Sequence, residues 1–434
     1  MRALSSPATS PVPGIEIAAR FAAARQRTLA IVAPLTPEDM MVQSSPDASP
    51  AKWHLAHTTW FFESFILRDF VPGYLVFNPD FAWLFNSYYQ SVAAFPEKRL
   101  RSSFSRPALD EILRYRAHVD QAMERLLAGD PPPEVLQRAE LGANHEEQHQ
   151  ELLLTDILHA FFTNPLRPAY LDDPAPHAPA SPARPLRFTG FPGGLVEAGH
   201  QGDGFAFDNE SPRHRVWLDP YSLADRLVTC GEYAEFMADG GYKRPELWLS
   251  AGWDAVQEND WRCPLYWSHA DDAWTLFTLR GERTLSAMAS APVSQVSFFE
   301  ADAYARWAGL RLPTEFEWEA AAEGHPIEGN LLDSGNLVPM PGASSPATNL
   351  LQDQGPAQQW GDCWEWTASA YLGYPGFQPL PGSLGEYNGK FMSGQMVLRG
   401  GSCITPAAHI RASYRNFFSP ETRWQFSGIR LANS

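Results

Sequence analysis

The first 165 residues alternate between apolar stretches with helical spacing and short proline-rich breaks. Apolar side chains recur every three or four positions over residues 15–35, and the run over residues 51–70 is strongly apolar and amphipathic. A third stripe begins after residues 106–107, and a fourth covers residues 135–162. Four helices with these connections predict a helix bundle.

One part of this region, residues 73–107, has mixed aromatic residues and no sustained period. We predict a long loop there. Loops of this length are unusual inside a compact domain and tend to carry function.

The pattern changes after a proline-rich stretch at residues 165–185, which predicts an extended linker between two domains. In residues 186–434 short apolar runs alternate with Gly, Pro, Asp and Asn, which indicates a mixed α+β domain. A strand-like run at 292–297 precedes a predicted helix at 298–309, and Thr314 with Glu317 predicts a capping box that starts another helix. The bundle is then expected over residues 15–164, after a disordered lead-in at residues 1–14.

Length, charge and cysteine content argue against several classes of partner and location. A length of 434 residues favours two domains, and a net charge of −17 argues against nucleic-acid or anionic-membrane partners. The four cysteines are scattered without a CxxC pair, which fits a reducing cytoplasm, and no apolar run is long enough to span a membrane. We therefore expect a soluble, acidic, cytoplasmic protein.

The strongest chemical signal is N-H-E-E-Q-H-Q-E at residues 144–151. His145 and His149 are four residues apart, so a helix places both imidazoles on one face, where they can share a metal ion. The same residues match H-E-x-x-H, in which Glu146 would be the general base of a zinc hydrolase. That alternative stays open on the motif alone.

Four further stretches carry a resemblance to known families. They are R-L-P-T-E-F-E-W-E-A-A at 311–321, G-D-C-W-E-W-T at 361–367, L-R-G-G-S-C at 398–403 and F-S-G-I-R-L at 426–431. Together they resemble the formylglycine-generating-enzyme domain, a relative of C-type lectin folds. The bundle, with W-x-L-A-H at 53–57 and H-x-x-x-H-x-E at 145–151, resembles DinB-like domains. The pairing of the two is similar to the EgtB-type sulfoxide synthases of ergothioneine biosynthesis.

This resemblance implies an α+β multidomain fold and a non-haem iron(II) site. It selects His57 as the third ligand beside His145 and His149, whereas His54 fills a position where relatives often carry aspartate. Three imidazoles suit several metals. The resemblance implies Fe(II) as the cofactor and a reaction that joins cysteine to Nα-trimethylhistidine (hercynine) with O2. The ligand chemistry permits this, because a three-histidine set on an octahedral ion leaves room for a thiolate, a substrate nitrogen and O2.

The resemblance also implies roles for other residues. Tyr88 and Tyr89, in the long loop, are expected to replace a catalytic tyrosine that relatives carry in the second domain. Gln148 is expected to contact the imidazole of hercynine. Asn416 and Phe417 are expected near its quaternary ammonium group, which favours aromatic and amide-oxygen surroundings.

The sulfur donor is inferred from Phe418, which stands where users of γ-glutamylcysteine carry an aspartate. Free cysteine is therefore the expected donor, with its carboxylate on Arg101, and γ-glutamylcysteine is the alternative. From another class, a non-catalytic metal- or sugar-binding protein remains an alternative because lectin-like folds often bind sugars.

Overall fold

A computed structural model describes residues 13–87, 89, 94–172, 183–202, 204–342 and 356–434. The chain divides into two compact units, residues 1–156 and residues 157–434. None of the described helices combines the length and the apolar character that crossing a membrane requires.

The first unit is helical, and each of the four predicted helices is present. Its helices are α1 (Pro13–Val32), α2 (Ala51–Phe62), α3 (Arg68–Phe70), α4 (Phe81–Leu84), α5 (Leu109–Leu127) and α6 (Pro133–Thr163), the last of which runs on into the second unit. A π-helical segment, Glu63–Leu67, joins α2 to α3, so residues 51–70 form one helical run as predicted. Helix α1 begins at Pro13, inside the expected lead-in, because proline is well suited to a first helical turn.

Helix α2 is the centre of the bundle, since all of its residues are buried. Helix α6 approaches it closely at Gly142. A Cβ atom at Gly142 would lie 2.4 Å from the Phe62 ring and 3.0 Å from the Phe61 ring. Glycine at this position therefore lets α6 come close enough to α2 for His145, one turn later, to meet side chains of α2.

The predicted long loop is partly wrong, because it contains α4 and a 3-10 segment, Lys98–Ser103. Helices this short present no full apolar period, so the pattern could not reveal them. The loop is also anchored to the helical run before it. The buried carboxylate of Glu63 accepts hydrogen bonds from the Tyr74 hydroxyl (2.8 Å), the Phe77 amide (3.1 Å) and the Tyr115 hydroxyl (2.8 Å).

The second unit contains short strands in small sheets, consistent with the mixed α+β prediction. The strands are β1 (Phe188–Phe191), β2 (Gly194–Ala198), β3 (His214–Leu218), β4 (Tyr221–Ala224), β5 (Trp267–Ala270), β6 (Ala273–Thr278), β7 (Gly281–Thr284), β8 (Trp364–Ala370), β9 (Met396–Arg399), β10 (Asn416–Phe418), β11 (Ser427–Gly428) and β12 (Ala432–Asn433). Among the described residues they pair in the orders β1-β4-β12, β10-β9-β8-β11, β2-β3 and β5-β6-β7.

The second unit also contains helices. They are α7 (Cys230–Ala238), α8 (Ser250–Glu258), α9 (Leu285–Met288), α10 (Phe298–Trp307) and α11 (Glu315–Ala322). The capping box at the start of α11 is confirmed: the Glu317 amide donates to the Thr314 hydroxyl and the Thr314 amide donates to the Glu317 carboxylate. The predicted strand at 292–297 is wrong. Only an isolated bridge forms at Pro292, and the φ of 58° at Gln295 interrupts the extended backbone.

The four motif stretches of this unit meet in its interior through buried ion pairs. Arg430 donates to both oxygens of the Glu365 carboxylate at 2.7 and 2.8 Å, and both side chains are fully buried. Arg399 donates to Glu315 and Glu319 at 2.8 Å. Each of these buried charges therefore meets the partner of opposite sign that it needs.

Candidate metal centre

The first unit brings three histidines together at the contact between α2 and α6. One potential ligand atom from each of His57, His145 and His149 lies within 4.8 Å of the other two. The Nε2 atoms of His57 and His145 are 3.2 Å apart. Two nitrogens bound side by side to one metal ion at about 2.1 Å would be separated by about 3 Å, so this spacing suits a shared ion.

His57 is oriented by its surroundings. Its Nδ1 lies 2.6 Å from the carbonyl oxygen of Phe85, so Nδ1 carries the proton and Nε2 keeps its lone pair. Its ring is stacked between Trp53, at 4.5 Å, and Trp60, at 5.5 Å. The two tryptophans lie one helical turn before and after His57 on α2, and they restrict rotation of the imidazole.

Burial keeps all three imidazoles neutral. It lowers the pKa of His145 to about 3, although Glu146 acts in the opposite direction. The pKa values of His57 and His149 are also well below their usual range, first through burial and then through the neighbouring histidines. Neutral imidazoles are the form that binds metals, so the donor set fits a divalent transition metal ion.

Glu146 does not occupy the position of a general base. Its carboxylate is fully buried and accepts from the Thr28 hydroxyl (2.6 Å), Arg116 (2.6 Å) and Arg25 (2.8 Å). Burial raises its pKa, but Arg116 and Arg25 outweigh that effect and lower the pKa to about 2. The next residue, Glu147, forms an ion pair with Arg20 on α1. Glu146 is therefore not available as the general base that a zinc hydrolase would need.

Behind His149 lies a polar pair that the sequence did not single out as functional. His54 Nδ1 is 2.8 Å from His149 Nδ1, and His54 Nε2 is 3.0 Å from an oxygen of Asp156. The spacing of Asp156 offered a signal, since it lies seven residues after His149, two turns along the same face of α6. The importance of His54 had no comparable signal, because two histidines three apart do not reveal which one faces the metal.

The loop tyrosines and Gln148 are placed as follows. Tyr88 lies outside the described residues. Tyr89 is fully buried, with its ring against Trp60 at 5.7 Å and Phe65 at 5.1 Å. Gln148 is partly exposed on α6, between His145 and His149. The catalytic and substrate-binding roles given to these three residues stay predictions.

Arg101 lies next to the histidine cluster. Its guanidinium sits 3.4 Å from the ring centroid of Trp53, the residue stacked on His57, and its Nη1 donates to the Ser49 hydroxyl at 2.8 Å. The side chain is only 6% exposed, and its Nε has no hydrogen-bond partner among the described residues. Burial lowers the pKa of Arg101 to about 9, although Asp156 acts to raise it.

The remaining predicted residues lie on β10 in the second unit. Asn416, Phe417 and Phe418 are half-buried and pair with β9. The Asn416 side-chain oxygen accepts from the Phe417 amide at 2.9 Å. The Phe417 ring stacks on Tyr371 at 4.0 Å. Phe417 thus has a packing role, and contacts of all three with a substrate stay predictions.

Comparison with known proteins covers both units. Residues 186–434 match the sulfatase-modifying factor enzyme 1-like domain, and residues 20–153 match the DinB superfamily. A hercynine oxygenase of Mycolicibacterium smegmatis is 32% identical over 444 residues, which cover 96% of this chain and 98% of that protein. A hercynine oxygenase of Mycobacterium tuberculosis is 33% identical over 435 residues, with the same two coverages.

Another relative matches over a shorter stretch. The formylglycine-generating enzyme of Streptomyces coelicolor is 34% identical over 182 residues, which cover 35% of this chain and 53% of that protein. The two-domain matches and the near full-length similarity agree with each other. The chain therefore belongs to the hercynine oxygenase family, EgtB-type oxidoreductases built from a DinB-like helical bundle and a formylglycine-generating-enzyme-like domain.

Proposed function

We propose that this protein is an iron(II)- and O2-dependent sulfoxide synthase that joins cysteine to hercynine and forms hercynylcysteine sulfoxide. The observation that carries the proposal is the cluster of three neutral imidazoles whose ligand atoms lie within 4.8 Å of one another, with His57 and His145 buried and His149 half-buried. Oxygenase relatives along almost the whole chain supply the reaction class.

The net reaction balances without an external reductant. The thiol S–H and the imidazole C–H are lost as the carbon–sulfur bond forms. One atom of O2 joins the sulfur, and the other leaves as water. Iron(II) held by His57, His145 and His149 would supply the oxidative chemistry, and the protein would supply binding, orientation and proton transfer.

Arg101 is proposed to bind the carboxylate of the sulfur donor. Among the described residues no carboxylate pairs with the buried guanidinium of Arg101, which is costly, and an anion that reaches its Nε would stabilise it. After burial and the neighbouring histidines, Arg101 also contributes to the lowered pKa values of His57 and His149. A donor held there would have its sulfur near the proposed metal.

Cysteine is proposed over γ-glutamylcysteine because the second unit offers an aromatic ring, Phe418, where users of the longer donor carry a carboxylate. Without that carboxylate, the amino group of a γ-glutamyl extension would lack its counter-charge. Tyr88 or Tyr89 is proposed to transfer a proton or hydrogen atom during oxygen-dependent turnover. Gln148 and Asn416 are proposed to hold hercynine.

The decisive assay compares donors. Protein loaded anaerobically with Fe(II) is mixed with hercynine and either cysteine or γ-glutamylcysteine, and oxygen is then admitted. We expect the sulfoxide, detected by mass spectrometry, to form faster with cysteine and to consume one O2 per product. Loading with Zn(II) instead should give no sulfoxide. Absence of product with both thiols would reject the proposal that the protein is a sulfoxide synthase. Product with γ-glutamylcysteine alone would reject cysteine as the sulfur donor.

The same assay tests Arg101. Arg101→Met should raise the KM for cysteine by roughly 10-fold or more, since hydrogen bonds to charged groups contribute about 1.5–3 kcal/mol. The KM for hercynine should change little. The matched control is Arg99→Met, because Arg99 lies two residues earlier but is 68% exposed. Equal KM values for cysteine in the two variants would show that Arg101 has only a packing role.

The loop tyrosines are tested by measuring how turnover divides between sulfoxide formation and oxidation of the thiol. Tyr88→Phe or Tyr89→Phe should slow sulfoxide formation by roughly 10²-fold or divert oxygen use to oxidation of the thiol, the range expected when a general acid is lost. The ratio of sulfoxide to oxidised thiol is the measurement. Tyr170→Phe, which removes a hydroxyl from a buried tyrosine elsewhere, is the control. An unchanged ratio in both loop variants would contradict the proposal.

A further inference from the structure

A line of buried polar groups leads away from the metal-facing side of His149. His54, on α2, lies between His149 and Asp156, which are both on α6, at distances of 2.8 and 3.0 Å. His54 is 3% exposed and Asp156 is 8% exposed. The same Asp156 oxygen also accepts the Ser49 backbone amide at 2.8 Å. Such a line inside a protein is stable only when each donor meets an acceptor.

This requirement fixes where the protons lie. A carboxylate only accepts hydrogen bonds, so His54 Nε2 must carry a proton and donate it to Asp156. A neutral His54 then presents the lone pair of Nδ1 to His149. With His54 in this neutral form, the 2.8 Å contact is a hydrogen bond in which His149 Nδ1 donates its proton. His149 is left with an unprotonated Nε2, the form that a metal ion requires.

We propose that His54 and Asp156 are positioning residues that hold His149 in its metal-binding tautomer and ring orientation. The proposal rests on the metal centre proposed above. Partners of this kind behind a ligating histidine are usually a carboxylate or a carbonyl. Here an additional imidazole extends the link, so that a carboxylate on α6 orients a ligand on the same helix through a side chain of α2.

Two further contacts support this reading. His57 has its own partner of this type, since its Nδ1 donates to the Phe85 carbonyl at 2.6 Å. The link also continues outward, because the Ser49 hydroxyl accepts from Arg101 at 2.8 Å. The residues that would position a metal ligand and those that would bind the donor carboxylate are therefore joined at Ser49.

The first test uses Co(II) alone as a spectroscopic probe, titrated anaerobically into the metal-free full chain. His54→Leu keeps a side chain of similar size but removes both hydrogen bonds, and it should weaken Co(II) binding by about 10–100-fold, the range for loss of such partners. His54→Asp should restore most of the affinity, because its carboxylate oxygen occupies nearly the place of Nδ1. His118→Leu, which removes a histidine from α5 outside the cluster, should bind Co(II) as the wild type does.

The second test reads the tautomer directly in the metal-free protein. With ¹⁵N-labelled histidine, NMR should show His149 protonated at Nδ1 in the wild type and in His54→Asp, and protonated mainly at Nε2 in His54→Leu. A His149 tautomer and a Co(II) affinity that are both unchanged in His54→Leu would overturn the proposal.

Two further outcomes keep the result decisive. If His54→Leu fails to fold, Asp156→Asn is used: it keeps the shape but removes the charge, and it should bind Co(II) more weakly than wild type. Wild-type affinity in Asp156→Asn would then overturn the proposal. If the wild-type protein itself binds no Co(II), the metal centre fails, and this outcome is distinct from failure of the positioning pair.

Discussion

Replacing His57 with alanine should reduce bound iron from about one ion per chain to background. The change removes one of the three nitrogens that meet between α2 and α6, and two ligands on α6 alone lack the set of three protein ligands typical of such sites. Sulfoxide formation should fall with the iron. Iron content after anaerobic loading and desalting is the measurement, alongside circular dichroism to confirm that the helices remain.

The controls for this prediction come from the same bundle. His118→Ala removes a histidine whose Nε2 faces the Leu75 carbonyl, so iron content should not change. His57→Gln fills more of the space between Trp53 and Trp60 than alanine does, and it serves if the cavity in His57→Ala prevents folding. Full iron stoichiometry in a folded His57 variant would show that the ligand set is wrong.

Replacing Glu146 with glutamine should destabilise the protein by about 3–5 kcal/mol, the usual result of breaking a buried ion pair from one side. Arg116 would keep its buried charge without this carboxylate, while Arg25 would still pair with Asp120. We expect a large shift of the urea midpoint, measured by circular dichroism. Glu134→Gln is the control because Glu134 lies on the same helix, pairs with Arg138 and is 58% exposed, so its effect should stay below about 1 kcal/mol.

The pH dependence of this interaction has a definite sign. The Glu146 pKa falls from an ordinary value of about 4.3 in the unfolded chain to about 2 in the folded protein. The ion pair therefore stabilises the fold fully above the unfolded value, and that stabilisation is lost as the pH falls towards 2. The difference in stability between wild type and Glu146→Gln should shrink over this acidic window. A constant difference would mean that the charge of Glu146 is not what stabilises α6.

Glu146 also separates the two readings of the H-E-x-x-H motif. In a zinc hydrolase, glutamine at this position would remove the catalytic base with little loss of stability. In the structure the carboxylate is occupied by two arginines and a threonine. The packing of the bundle explains the difference, because here Glu146 faces Thr28 and Arg25 of α1 and Arg116 of α5.

The sequence by itself determined the local features of this protein. The helical run over residues 51–70, the capping box at Thr314 and the shared face of His145 and His149 all depend on residues a few positions apart, where periodicity and hydrogen-bonding rules apply directly. Family motifs added the two-domain architecture and the choice of His57. The motifs could do so because each keeps several residues in a fixed local order.

Only the tertiary structure decided which side chains meet across the bundle. His54 and His149 are 95 residues apart, and Arg25 and Glu146 are 121 apart. No local period records such contacts, since they arise when α1, α2, α5 and α6 pack together. The structure therefore assigned Glu146 to an ion-pair network, placed Arg101 over Trp53 and revealed the pair behind His149. Each of these depends on burial, which raises the cost of an unpaired charge or hydrogen bond and so determines the partners.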